Sequence, residues 1–135
     1  MGECIVIHGD YDVDGISATS LLVRFFSDIK TRVSYFIPNR FTDGYGVSRG
    51  NIEKIKKEFN PAIVITVDCG ITALDAAQAA KENNIDFIIT DHHEPGESIP
   101  DAFAVINPRQ TDCLFPDKDI SGVGVAYYLI IAVRR

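Results

Sequence analysis

The sequence predicts an α/β domain with a mostly parallel, five-stranded sheet and helices on both faces. Short apolar runs rich in β-branched residues alternate with segments of helical periodicity, which is the pattern of βαβ units. The apolar runs are nearly continuous, as is typical of strands covered on both faces of a sheet. The 135 residues are enough for one such domain.

The first half of the chain alternates strand, helix, strand and helix. Residues 4–8 and 33–37 are short apolar runs that predict strands, and Pro38 ends the second one. Residues 16–29 carry Leu, Phe and Ile side chains at helical spacing, so they predict a helix. Ser48 can cap a second helix, which runs through Ile52 and Ile55 to Phe59.

The second half repeats the alternation. Residues 62–67 contain Ile-Val-Ile-Thr-Val and form the clearest predicted strand. Thr72 can cap an alanine-rich helix over residues 73 to about 83. Residues 86–90 and 103–106 predict the last two strands, and a final helix is expected from about Ser121 to the end.

Composition excludes several classes of protein. The three cysteines contain no Cys-x-x-Cys pair, which argues against a disulfide framework and a thiolate zinc site. The apolar stretch 127–133 is too short to span a membrane and the N-terminus lacks a secretory signal, so we expect a cytoplasmic protein with no membrane association. A net charge of −6 disfavours nucleic acid unless the acidic residues surround bound cations, which reverse the local field.

Polar side chains follow every predicted strand. The carboxyl ends of parallel strands meet at one edge of a sheet, where such folds bind ligands. The candidate functional residues at this edge are His8, Asp10, Asp12, Asp14, Arg40, Asp68, Asp91, His92, His93, Asn107 and Arg109.

These residue types favour a metal site. Three aspartates within five residues repel one another, and a cation or protonation must relieve the repulsion. In an extended segment Asp10, Asp12 and Asp14 would project to one side. Carboxylates and imidazoles without thiolates favour Mn²⁺ or Mg²⁺, with Zn²⁺ or Co²⁺ as further options. Two ions would require a shared carboxylate, and Asp68 in the middle of the sheet is the natural bridge.

Simpler interpretations stay open at this point. An aspartate-rich loop is often a solvated turn or a helix cap, and His92 and His93 could be surface histidines. A calcium-binding EF-hand would need a glutamate at position 12 of its loop, where this sequence has Leu21. Arg40 and Arg109 are candidates for phosphate contacts only because of their position.

The motifs resemble those of the DHH phosphoesterases. The resemblance rests on His-Gly-Asp-Tyr-Asp-Val-Asp-Gly at 8–15, Val-Asp-Cys-Gly-Ile-Thr at 67–72 and Asp-His-His at 91–93. Gly-Tyr-Gly at 44–46, Asn-Pro at 107–108 and Gly-Val-Gly-Val-Ala at 122–126 are similar to the RecJ branch. That branch implies a two-metal hydrolase acting 5′→3′ on single-stranded DNA, with Mn²⁺ or Mg²⁺ as cofactor and replication or repair proteins as further partners.

The resemblance also implies a role for each site residue. His8, Asp12 and Asp68 would hold one ion, and Asp14, Asp68 and His92 the other. His93 would face the scissile phosphate, and Asp68 and His93 are therefore the catalytic candidates. Asp10 and Asp91 would orient the ligands. Arg109 would contact a substrate phosphate. Arg40 and Asn107, which lie at the same edge of the sheet, are further candidates for substrate binding.

In one respect the sequence departs from the family. Family members carry a further aspartate-bearing motif and a second domain downstream, so residues 1–135 are expected to form a DHH catalytic domain truncated before both. Two alternative functions remain: another phosphoesterase of the superfamily, such as an oligonucleotide or nucleotide phosphatase or a cyclic dinucleotide phosphodiesterase, and a non-catalytic, replication-associated scaffold. The first is disfavoured by Asp10-Tyr11-Asp12, where such relatives usually have Asn-Pro-Asp.

Overall fold

A computed structural model describes residues 3–135 as an α/β domain. Its elements, in chain order, are β1 (Cys4–Gly9), α1 (Val13–Asp28), β2 (Arg32–Phe36), α2 (Arg49–Phe59), β3 (Ile63–Val67), α3 (Leu74–Glu82), β4 (Asp86–Thr90), β5 (Ala104–Ile106) and α4 (Gly122–Val133). The predicted fold class is confirmed, and every predicted strand and helix is present with shifts of a few residues at its ends.

The sheet is entirely parallel, with its strands in the order β2-β1-β3-β4-β5. The strand order reverses between β1 and β3, which creates a crevice beyond their carboxyl ends. Among residues 3–135, no helix combines the length and the apolar character that crossing a bilayer requires.

Two hydrophobic clusters hold the helices on opposite faces of the sheet. Residues of α2 and α3, such as Ile52 and Ala76, pack with Val6 on one face. Residues of α1 and α4, such as Leu22, pack with Ile7 on the other. Successive side chains of a strand point to opposite faces, so β1 contributes to both clusters.

The capping predictions had different outcomes. Ser48 caps α2 as expected: its side chain accepts from the Asn51 N–H, and the Asn51 side chain accepts from the Ser48 N–H. The prediction that Thr72 caps α3 was wrong. The Leu74 N–H donates to the Thr72 carbonyl in a turn that precedes the helix, so Thr72 lies outside it.

Three turns at the amino edge of the sheet share one backbone feature. Lys30, Asn60 and Asn84 follow α1, α2 and α3, and their φ angles are 63°, 44° and 53°. A left-handed residue ends a helix by turning the chain away from its axis. The following segments then enter the next strands in the same direction.

Candidate metal centre

The strand register places four polar residues in one row. Gly9 pairs with Val67, Val67 with Thr90, and Thr90 with Ile106, across four adjacent strands. The next residue of each strand is polar, and all four are at most 2% exposed: Asp10, Asp68, Asp91 and Asn107. Buried carboxylates need charge partners or protons, so this row is a candidate functional site.

The expectation that Asp10, Asp12 and Asp14 share an extended segment was wrong. Asp12 is the N-cap of α1, and its Oδ1 accepts from the Gly15 N–H at 2.8 Å. Asp14 therefore lies inside the first turn of the helix and points in another direction. Its two oxygens accept from the Gly122 and Val123 N–H groups at 2.7 and 2.8 Å.

Asp68 has an unusual environment. Its backbone is left-handed, with φ of 59°, and its side chain is 1% exposed. Within residues 3–135 neither carboxylate oxygen has a hydrogen-bond partner, although His92 Nε2 lies 2.9 Å from Oδ1 without the angles of a hydrogen bond. Burial, followed by the charges of Asp14 and Asp12, raises the pKa of Asp68 to about 8.

His8 is buried beside Cys69, the neighbour of Asp68, but it belongs to neither group of potential metal ligands found among the described residues. It lies on β1, with its Nδ1 3.7 Å from the Cys69 sulfur and its Nε2 without a hydrogen-bond partner in residues 3–135. Burial lowers the pKa of His8 to about 4, so the ring is neutral at physiological pH. A neutral imidazole with a free nitrogen is the form that binds metal ions.

Asp91 organises the two neighbouring histidines. Its Oδ1 accepts from the N–H groups of His92 and His93 at 2.8 and 3.2 Å and lies 2.6 Å from His93 Nδ1. Its Oδ2 accepts from the Ile71 N–H at 3.0 Å. Although burial opposes protonation of His93, its hydrogen bond to Asp91 and the nearby carboxylates raise its pKa above the ordinary value. Asp91 thus fixes the orientation of His93, and its role in orienting metal ligands stays a prediction.

Two groups of potential ligands share Asp68. Asp10, Asp12 and Asp68 offer atoms within 4.8 Å of one another, and so do Asp68, His92 and His93. His92 Nε2 also lies 3.5 Å from Asp14 Oδ2. The geometry therefore agrees with a bridging Asp68 and adds Asp10 and His93 to the possible ligands. The assignment of individual ions to individual residues stays a prediction.

The donor set fits hard divalent ions. Four buried side-chain atoms of the described residues have no hydrogen-bond partner: His8 Nε2, Asp10 Oδ2 and both oxygens of Asp68. A buried acceptor without a partner is unfavourable, and the unpaired oxygens of Asp10 and Asp68 fall within one group of potential ligands, which indicates a site for a cation. Carboxylate and imidazole ligands suit Mn²⁺ and Mg²⁺.

A cleft of about 320 Å³ opens beside these ligands and contains a residue that sequence reasoning had not assigned to the site. Tyr45 lines the cleft with Asp68, Asp91 and His93. Partial burial and the charge of nearby Asp10 raise the pKa of the Tyr45 hydroxyl, which stays protonated. The sequence signal for this residue is Gly-Tyr-Gly at 44–46, because glycines on both sides of a tyrosine indicate a turn. In the structure both glycines adopt φ of 75°.

The three expected substrate residues lie in different settings. The Asn107 side chain links two loops, donating to the His93 carbonyl and accepting from the Arg109 N–H. The Arg109 guanidinium pairs with Glu94 and Asp119. Arg40 is exposed, and its guanidinium carbon lies 5.9 Å from the centre of the Tyr11 ring. Their roles in substrate binding stay predictions.

Comparison with known proteins decides the family. Residues 4–135 match the family described as DHH family, N-terminal domain. The chain belongs to the DHH family.

Relatives of this DHH domain include curated nucleases. It is 44% identical over 131 residues to the single-stranded-DNA-specific exonuclease RecJ of Bacillus subtilis (strain 168), covering 97% of this chain and 16% of that protein. It is 40% identical over 134 residues to the RecJ of Escherichia coli (strain K12), covering 98% and 23%. The DHH domain therefore spans less than a quarter of the length of these relatives.

A solved structure confirms the likeness of the fold. The crystal structure of an exonuclease RecJ bound to manganese superposes with a TM-score of 0.88 at 37% identity, covering 98% of this chain and 33% of that one. The DHH domain described here thus has the same architecture as part of a manganese-binding nuclease.

Proposed function

We propose that this DHH domain carries the metal centre of an exonuclease that hydrolyses single-stranded DNA from the 5′ end. The observation that supports it most directly is the pair of ligand groups that share the buried, unpaired Asp68. The similarity to RecJ proteins of two bacteria supports the choice of substrate. The 5′→3′ direction rests on the family resemblance.

The residues divide the work of metal binding. We assign His8, Asp12 and Asp68 to one Mn²⁺ or Mg²⁺, with Asp10 in reach of the same ion, and Asp14, Asp68 and His92 to a second. The proximity of Asp10 and Asp12 to Asp68, and of His92 to Asp14 and Asp68, supports this assignment, and His93 is left for the substrate. When bound, such ions supply water activation and neutralise charge during phosphoryl displacement. The low pKa of His8 keeps its ring available as a ligand at neutral pH.

His93 is suited to proton handling at the substrate. Its Nδ1 is engaged by Asp91, which leaves Nε2 as the atom that can hold a proton towards a phosphate oxygen. A raised pKa lets the ring carry that proton near neutral pH. Arg40 adds a cation beside the aspartate-rich loop, close enough to Tyr11 to extend a surface for nucleic acid.

The proposal is tested with the complete protein, Mn²⁺ and 5′-labelled DNA. We expect mononucleotides to be released from single-stranded DNA, little release from blunt duplex, and none from either after Asp68→Asn. Intact single-stranded DNA would contradict the proposal. Preferential hydrolysis of dinucleotides or cyclic dinucleotides would instead favour another phosphoesterase of the superfamily.

The proposal extends to surroundings and partners. A nuclease of this kind acts where DNA is replicated and repaired, so we place it in the cytoplasm with replication or repair proteins as partners. The acidic metal centre can bind DNA only with its cations present, since the net charge is −6.

A further inference from the structure

The first residue of α4 touches the centre of the metal site. A Cβ atom added to Gly122 would lie 2.7 Å from Asp68 Oδ1, 2.8 Å from its Cβ and 2.9 Å from its Cγ. Separations below 3 Å are shorter than any normal carbon contact. The backbone of Gly122 is therefore the wall against which the Asp68 side chain rests.

This wall matters because no hydrogen bond from the described residues fixes Asp68; His92 Nε2 lies 2.9 Å from its Oδ1 but without the angles of a hydrogen bond. Most ligands of a metal site are oriented by hydrogen bonds from neighbouring groups, and losing those groups lowers the affinity for the metal. For Asp68 this task falls to steric contact. Gly122 does not have a left-handed φ, so space alone, not backbone conformation, requires glycine there.

The same turn of helix also fixes Asp14. The Gly122 N–H donates to Asp14 Oδ2 at 2.7 Å and the Val123 N–H donates to Oδ1 at 2.8 Å. Both oxygens are thus held by the positive end of α4. The helix is anchored by Ala126 and Ile130, which are buried in the cluster shared with α1. The position of this turn is therefore set by the core.

We propose that Gly122, which offers no ligand atom, is a positioning residue that sets the placement of Asp14 and Asp68 for metal binding. The inference rests on the proposed function, in which these two carboxylates hold the ions. Its consequence is that a single methyl group, added far from every proposed ligand along the chain but adjacent to Asp68 in space, disrupts metal binding.

The test compares two glycines of the same helical turn. In Gly122→Ala the new methyl meets Asp68. In the control Gly124→Ala it meets the Ile120 side chain, 2.5 Å from Cγ1 and 2.8 Å from Cδ1, which can move into solvent. Mn²⁺ affinity is measured by calorimetry on the full chain. We expect Gly122→Ala to weaken Mn²⁺ binding about 10- to 100-fold, and Gly124→Ala to bind like the wild type.

A second measurement covers the case in which Gly122→Ala does not fold. Asp68→Gly removes the atoms that the methyl would meet and suits the left-handed backbone at that position. In chelator, Gly122→Ala should lower the urea midpoint in the wild-type background. In the Asp68→Gly background it should leave the midpoint unchanged or raise it, because alanine favours helix.

Each outcome decides the matter. Wild-type Mn²⁺ affinity in Gly122→Ala, or an equal loss of stability in both backgrounds, overturns the role of Gly122 and leaves the proposed function intact. No Mn²⁺ binding by the wild type overturns both. Selective loss in Gly122→Ala, relieved in stability by Asp68→Gly, supports the inference.

Discussion

Asp68 combines several features that each disfavour folding. Its backbone is left-handed, its side chain is buried, and its oxygens accept no hydrogen bond from the described residues. Such features persist at functional sites, where the surrounding structure holds a residue in an unfavourable conformation. A cation bound by Asp68, as proposed above, would offset the unfavourable free energy of these features.

Asp68→Asn is expected to stabilise the metal-free chain. Since folding raises the pKa of Asp68 from 3.8 to about 8, the folded state favours the neutral form. The contribution of the neutral form is complete below pH 3.8 and is lost as pH rises through about 8. At pH 9 the amide should therefore raise the free energy of unfolding by on the order of 2 kcal/mol, with little difference near pH 4.

Urea unfolding in chelator at pH 4, 7 and 9 measures this effect. Asp112→Asn is the matched control, because Asp112 is exposed and its loss of charge should change stability little. A gain that does not grow with pH would contradict the assignment. Asp68→Asn, unlike the control, should also abolish Mn²⁺ binding.

The sequence predicts which edge of the sheet carries the candidate residues, but not where their side chains point. His8, Asp12, Asp68 and His92 are expected at this edge because they lie at or just beyond the carboxyl ends of predicted strands, and their roles as ligands stay predictions. The direction of Asp14 was not, because the Asp12 cap starts the helix three residues earlier than the apolar periodicity indicates. The space that Gly122 provides depends on contact with a residue 54 positions away, and no local pattern encodes it.

At the scale of the elements, α4 depends on a carboxylate of α1. Asp14 accepts both N–H groups that open α4, so it acts as a cap supplied from a distant part of the chain. Asp14→Ala should lower the free energy of unfolding in chelator by about 1–2 kcal/mol. This is the opposite sign to Asp68→Asn, although both residues are acidic neighbours of the same cleft.

Asp28→Ala is the control for this prediction. Asp28 lies at the other end of α1 and pairs with the exposed Arg24. Its removal should change the free energy of unfolding by less than about 0.5 kcal/mol. Equal effects of the two substitutions in urea titrations would show that α4 is not held by Asp14.

The left-handed helix end at Lys30 offers a way to stabilise the fold away from the cleft. Lysine adopts φ of 63° there, which favours glycine. Lys30→Gly should raise the free energy of unfolding by about 0.5–1 kcal/mol. Asn60→Gly should give a smaller gain, because asparagine tolerates this conformation. Urea midpoints of the two variants measure these gains. A lower midpoint for Lys30→Gly than for the wild type would contradict the prediction.

At the scale of the whole molecule, the metal should act as part of the core. Mn²⁺ at about 100 times its dissociation constant should stabilise the folded chain by about 2.7 kcal/mol. Differential scanning calorimetry should show this as a rise of several degrees in Tm, reversed by chelator. Ca²⁺, a larger ion with more oxygen ligands, should stabilise less. Equal Tm values with and without Mn²⁺ would mean that no site is preformed.

The strands and helices were more predictable from the sequence than the order of the strands and the packing of the helices. Continuous apolar runs such as residues 62–67 predict buried parallel strands, because both faces of such strands are covered by helices. The order β2-β1-β3-β4-β5 does not follow from any single run, since it depends on which helix covers which face. The packing of α1 against α4 is of the same kind, because it joins segments far apart in sequence.

The row formed by Asp10, Asp68, Asp91 and Asn107 constrains how the gene can change in length. An insertion of one residue within β1, β3 or β4 would turn the side chains that follow to the opposite face and remove a carboxylate from the row. The turns at Lys30, Asn60 and Asn84 lie at the far edge and carry no ligand. Codon insertions and deletions should therefore accumulate in those turns among homologous genes, while the spacing between each strand and its terminal polar residue stays fixed.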